Sequence, residues 1–335
     1  MIETTFLSGG TTCAAWHLPG AGDAFLTDAG RPCVVMAHGF GGTRDTGLLG
    51  YAEGFAAAGL DVLLFDYRGF AGSGGAPRQL VSYRRQRADY RAAIAAARAL
   101  DGVDPDRIAL WGTSYSGGHI VPVGVRDGRI AAGLSLTPAM DGLSALLALA
   151  RHGGPRRLLP LITNGVRDAL RAVTRRSPHY LPVVGLPGST AVITAPGAVE
   201  DYQALAGPTW RNQVTARTAL VVAFNRPIRF ASRVRFPLLV QIGDNDAVAP
   251  PAAAHRAADK AGRHAHVRTY PVDHFDVYDG PWQQRALADQ ITFLGQHLGG
   301  TVTTTSAKQH GEGPVRRSRR FATPTPPGPL KEVTR

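Results

Sequence analysis

Four short apolar runs, PCVVMAHGF, DVLLFDYRG, RIALWGTS and IAAGLSLTP, recur in the first half of the chain, each ended by turn-forming residues. Between them lie GLLGYAEGFAAAG and SYRRQRADYRAAIAAARALDG, whose apolar residues repeat at helical spacing. Runs that are apolar at every position must be buried on both faces, and strands that alternate with helices build a parallel sheet joined by crossovers. The pattern resumes late, in FPLLVQIGDND, PPAAAHRAADKAG, HVRTYPVDHF and PWQQRALADQITFLGQHL. The opening stretch, TTFLSGGTTCAAWHLPG, reads as an antiparallel hairpin at one edge. The expected fold class is α/β, a mostly parallel eight-stranded sheet flanked by helices.

From Pro138 to Ser232 the alternation stops. This stretch holds helical pieces (GLSALLALA, ITNGVRDALRAVTRR), then runs broken by proline and glycine (YLPVVGLPGSTAVITAPG), then a further expected helix in TWRNQVTARTALVVAF. It is read as a mostly helical lid, 138–232, inserted into a core made of 1–137 and 233–300. Residues 301–335 lack periodicity, are rich in proline, threonine and arginine, and are expected to form a disordered basic tail.

Net charge follows the same boundaries. The chain carries a formal charge of +12, and all of it sits in the insert and the tail, because both core segments hold equal numbers of acids and bases. At 335 residues, 44% hydrophobic and 19% charged, the chain is long and apolar enough for a large core. Cys13 and Cys33 are the only cysteines, so neither a disulfide framework nor a cysteine metal cluster is available, and no bridge between the two is expected. No basic start leads into an apolar run, and no apolar stretch reaches the length of a membrane span, so no transmembrane segment and a cytoplasmic location are expected.

Open parallel sheets bind ligands at the carboxyl ends of their strands. Four strand ends are rich in chemistry: HGFGG after VVMA, GTSYSGG after IALW, GDNDAVAPP after LLVQI, and VDHFDVY after VRTYP. A serine, an acid and a histidine thus fall at three separate strand ends. On these motifs the chain, from about residue 3 to residue 300, resembles the α/β-hydrolase superfamily, whose nucleophile elbow is a strand, a strained G-x-S-x-G turn and a helix. Here that turn is Gly112, Thr113, Ser114, Tyr115, Ser116, with Ser116 in place of the usual second glycine. HGFGGTRDTGL, FDYRGFAGSGG and GTSYSGGH are further similar to the dienelactone-hydrolase-like and X-prolyl-peptidase-like esterase branch.

The roles follow from acyl transfer. A serine hydroxyl needs a base as it attacks. His274, in the loop after the last strand, is the candidate, against the alternative of a loop histidine contacting Asp273 or Asp276. The imidazole in turn needs an acid, Asp246 with Asp244 as runner-up. As the resemblance implies, the backbone N–H groups of Tyr115 and Phe40 form the oxyanion hole. His38 reads as structural. Asp66 and Arg68 read as bonding their own loop, and Arg84, Arg85, Arg87 and Arg91 as a solvated helix face. GFAGSGG lacks the lysine of a phosphate loop and does not match a dinucleotide fingerprint. No cofactor-binding residue and no metal site is expected.

The expected function is a serine hydrolase acting on a small-molecule ester or thioester through an acyl-enzyme. A prolyl-type peptidase and a non-catalytic ligand-binding protein of the same fold are the alternatives. The cationic insert either attracts a carboxylate, coenzyme A or an anionic membrane surface, or simply faces solvent. The basic tail is compatible with nonspecific nucleic-acid binding, no specific nucleic-acid partner is expected, and a homodimer is left open.

Overall fold

Strand alternation is satisfied by one eight-stranded sheet. In a computed structural model, residues 1–299 are described except Pro155 and Arg157; the expected tail, 301–335, lies outside the described residues. The core strands are β1 (Ile2–Ser8), β2 (Thr11–Leu18), β3 (Arg31–Ala37), β4 (Asp61–Phe65), β5 (Val103–Thr113), β6 (Ala132–Leu136), β9 (Leu238–Gly243) and β10 (Ala265–Tyr270). They lie in the order β1-β2-β4-β3-β5-β6-β9-β10. The opening hairpin β1–β2 runs antiparallel along β4, and every other neighbouring pair is parallel.

Helices cover both faces, as the doubly apolar strands require. Cys33, Val35 and Ala37 of β3 point to the side packed by α2 (Tyr83–Arg98), α3 (Ser114–Asp127) and α7 (Pro251–Ala261). Their neighbours Val34 and Met36 point to the side packed by α1 (Leu49–Ala57) and α8 (Gly280–Leu298). Buried glutamines tie α8 to the sheet. The Trp111 indole donates to Gln290 Oε1 at 3.0 Å, Gln290 Nε2 donates to Gln241 Oε1 at 2.5 Å, and Gln241 Nε2 donates to the Tyr270 hydroxyl at 2.6 Å. Trp111 lies three residues before Ser114, so this relay anchors the strand that carries the turn.

Residues 138–232 contain α4 (Gly142–Gly153), α5 (Leu158–Val173), α6 (Ala198–Leu205) and a two-stranded ribbon of β7 (Tyr180–Leu181) with β8 (Val214–Thr215). The helix expected in TWRNQVTARTALVVAF is absent. In its place β8 leads into short 3₁₀ turns at Ala216–Leu220 and Val222–Phe224. Tertiary bonds outbid helix propensity there: Thr215 N–H donates to Gln79 O, Ala216 N–H to His179 O, and Arg217 N–H to the Asp168 carboxylate at 3.0 Å. No helix among the described residues is long and apolar enough to cross a membrane.

Gln290→Ala should lower stability by about 3 kcal/mol, because it leaves the Trp111 N–H and Gln241 Oε1 unpaired and opens a cavity. Chemical denaturation of the two proteins measures this directly.

Candidate active site

Ser114 stands where β5 ends and α3 begins, with φ at +54°. A side chain in this left-handed region costs on the order of 1–2 kcal/mol, so the surroundings must hold the bend. Gly112 lets them do so: a Cβ there would lie 2.4 Å from Ser116 O and 2.5 Å from Ser116 C. Ser116 does more than fit in place of glycine. Its buried hydroxyl accepts from Thr113 N–H at 3.0 Å and donates to Ala37 O at 2.7 Å, bolting the turn to the end of β3.

Three side chains from separate strand ends meet here. His274 Nε2 lies 3.1 Å from Ser114 Oγ, and His274 Nδ1 lies 2.6 Å from Asp246 Oδ2. A carboxylate oxygen accepts, so Nδ1 carries the proton and Nε2 is free to receive that of the serine. Asp246 Oδ1 is fixed by the N–H groups of Val248 and Ala249 at 2.8 and 2.6 Å. All three residues are buried, whereas Asp244 is exposed. Asp273 contacts backbone rather than the imidazole: its Oδ1 accepts from His274 N–H at 2.6 Å and from Ala247 N–H at 2.9 Å, joining the acid loop to the histidine loop. Tyr278 OH, 2.6 Å from Thr113 Oγ1, ties the histidine loop to the serine turn. Neither Asp273 nor Tyr278 was singled out by sequence as a site support.

The HGFGG loop runs against the serine. Gly39 passes so close that a Cβ there would sit 3.1 Å from Ser114 Cβ. His38 Nδ1 donates to Gly39 O at 3.0 Å, which orients the Gly39–Phe40 peptide so that the Phe40 N–H points away from His38. No backbone carbonyl among the described residues accepts that N–H. The Tyr115 N–H belongs to the first turn of α3, whose amides have no intrahelical partner. Phe40 and Tyr115 also stack edge to face at 5.5 Å. Two aromatic residues of the insert hold the same loop by its carbonyls: Tyr202 OH donates to Phe40 O at 2.9 Å and Trp210 Nε1 to Gly41 O at 3.1 Å. Nothing in the spacing of AVEDYQALAGPTW marks them.

Asp66 bonds the neighbouring loop through Arg44 N–H at 2.8 Å, and burial pushes its carboxyl up to about 7. Arg68 pairs with Asp89. Arg87 corrects the expectation of a solvated face: it is partly buried, its guanidinium donates to Asn225 Oδ1 at 2.5 Å and it lies over the rings of Tyr83 and Phe230. It joins α2 to the insert. The long aliphatic stem lets an arginine do this while its charge finds a partner.

Ser114 and His274 open into a narrow pocket. Leu48, Ile193, Tyr202, Leu205 and Phe275 line it, and no arginine of the insert is among the lining residues. Asp141 and Asp168 are engaged elsewhere, in ion pairs with Arg226 and Arg217.

The family model described as "Serine aminopeptidase, S33" matches residues 28–274. The chain belongs to this hydrolase family. Its α/β-hydrolase fold is shared with the solved structure of the α/β hydrolase GrgF from Penicillium sp. sh18, at a TM-score of 0.74 with 24% identity, covering 89% of this chain and 98% of that one. Among curated relatives, the chain is 39% identical to the quorum-quenching protein AidA of Acinetobacter baumannii, over 88% of this chain and 94% of that one. It is 31% identical to a monoacylglycerol lipase of Mycolicibacterium smegmatis, over 80% and 89% of the two chains.

Burial holds the His38 imidazole down at about 4, from an ordinary value of 6.5. The unfolded chain therefore takes up a proton that the folded S33 hydrolase refuses. The resulting stability is complete above pH 6.5 and is lost as the pH falls toward 4, by about 3 kcal/mol for this one group. Thermal unfolding followed across that range should show the loss, and His38→Asn should flatten it.

Proposed function

We propose that this S33 hydrolase cleaves carboxylic esters or thioesters of uncharged, apolar acyl groups, with Ser114 as nucleophile. The observation that carries the reading is the unbroken chain of contacts from Ser114 Oγ through the His274 ring to Asp246, opening onto a pocket lined mainly by apolar side chains. Ser114 Oγ attacks the carbonyl carbon while His274 Nε2 takes its proton. Asp246 holds the Nδ1–H tautomer and offsets the imidazolium charge. The negative charge forming on the substrate oxygen is received by the N–H groups of Phe40 and Tyr115, about 3 to 4 kcal/mol per donor.

The tetrahedral species then collapses. His274 gives its proton to the departing alkoxide or thiolate, and the acyl group stays on Ser114. Water, losing a proton to His274, attacks the acyl carbon and releases the acid, which restores the serine.

Residues 138–232 act in this reading as a lid: Ile193, Tyr202 and Leu205 supply part of the pocket wall, and Tyr202 with Trp210 holds the oxyanion loop. The motif likeness to dienelactone-hydrolase-like and X-prolyl-peptidase-like esterases agrees with the same chemistry. A peptidase that grips a free amino group needs an acid in the pocket, and no carboxylate is among its lining residues, so the peptidase reading ranks lower. A pure ligand receptor has no use for the proton path.

A fluorophosphonate probe should label the wild type and not Ser114→Ala. Assayed on p-nitrophenyl esters, acyl-coenzyme A thioesters and aminoacyl-proline amides, Ser114→Ala should lose about 10⁴-fold or more in kcat/KM on the preferred class, and Asp246→Asn about 10³- to 10⁴-fold. An unlabelled wild type with no turnover would reject the reading in favour of a receptor.

A further inference from the structure

Helix α5 presents an apolar stripe to solvent. Leu159, Ile162, Val166, Leu170 and Val173 follow one another at steps of three and four residues, which puts them on one helical face. All five are exposed, Leu170 at 62% and Val173 at 83%. The opposite face is the one that packs: a Cβ on Gly165 would touch Leu220, and Asp168, fully buried, holds Arg217. Leu143 and Leu147, one turn apart on α4, are exposed as well. Scattered exposed leucines are ordinary on a protein surface, but a continuous stripe of this length marks a surface that something else covers.

The charge around the stripe has one sign. From residue 142 to residue 199 the sequence holds seven arginines and a single acid, and that acid is the buried Asp168. Arg151, Arg156, Arg167, Arg175 and Arg176 are exposed. A second copy meeting this face about a twofold axis would set arginine against arginine. A bilayer with anionic headgroups suits both features, since the acyl boundary takes the apolar stripe and the phosphates take the guanidinium groups. The same helices border a groove lined by Leu149, Arg156, Pro160, Leu161 and Thr194.

We propose that the exposed face of α5 docks the protein peripherally on an anionic membrane surface. The proposal stands apart from the ester reading, because it uses no residue of the Ser114 site. It is tested by sedimenting the full chain with phosphatidylcholine vesicles, with and without phosphatidylglycerol. The wild type should pellet with the phosphatidylglycerol vesicles, less so at high salt, and should stay in solution with phosphatidylcholine alone. Val166→Asp/Leu170→Asp and, separately, Arg167→Glu/Arg175→Glu/Arg176→Glu should each weaken partition by more than about tenfold at unchanged melting temperature. A wild type that ignores phosphatidylglycerol would overturn the proposal. So would binding that both variants retain, which would place it on the basic residues after Gly300. A wild-type dimer in analytical ultracentrifugation that Val166→Asp/Leu170→Asp dissolves would assign the face to a second copy instead.

Discussion

The bend at Ser114 is the constraint on which the site depends. A left-handed residue between strand and helix is unfavourable in isolation, and here it is held from three sides. Gly112 lets the first turn of α3 close against the strand, the Ser116 hydroxyl joins that turn to β3, and Ser114 O accepts from Ala139 N–H at 2.8 Å on the way into the insert. Ser114 is thus fixed by the sheet itself rather than by a surface loop, and α8 reinforces the same strand from the opposite face through Trp111 and Gln290.

Around that fixed point the other parts are positioned by main-chain bonds. Asp273 gathers amides from both the acid loop and the histidine loop and so ties the two together. His38 sets the peptide that carries the Phe40 amide, and being buried and hard to protonate it keeps that role through the neutral pH range. Charge in the insert is divided by the same logic. Asp141 and Asp168 neutralise Arg226 and Arg217 inside it, and the remaining arginines of α4 and α5 face outward rather than into the Ser114 pocket.

The sheet and the meeting of residues 114, 246 and 274 were legible because both depend on local signals with a strict geometric consequence. Doubly apolar strands must be sandwiched, and residues placed just past parallel strands must arrive at one rim. What the sequence left hidden depends on partners distant in the chain. Tyr202 and Trp210 act on carbonyls 162 and 169 residues away, Arg87 leaves its helix face for Asn225, and residues 215–217 forgo a helix to bond Gln79, His179 and Asp168. Ser116 was legible as small enough for the turn, while its hydrogen bonds became visible only once β3 was placed beside β5.

Tyr202 and Trp210 grip carbonyl oxygens, which every residue possesses, yet the insert still demands glycine at position 41, where φ is +66° and a Cβ would lie 2.6 Å from Val183 Cγ2. Any other cap on this loop therefore needs two donors of matching reach and must pack as closely over Gly41 as Val183 and Val214 do. A chimaera lacking those donors would keep Ser114 in its bend and lose only the shape of the loop beside it.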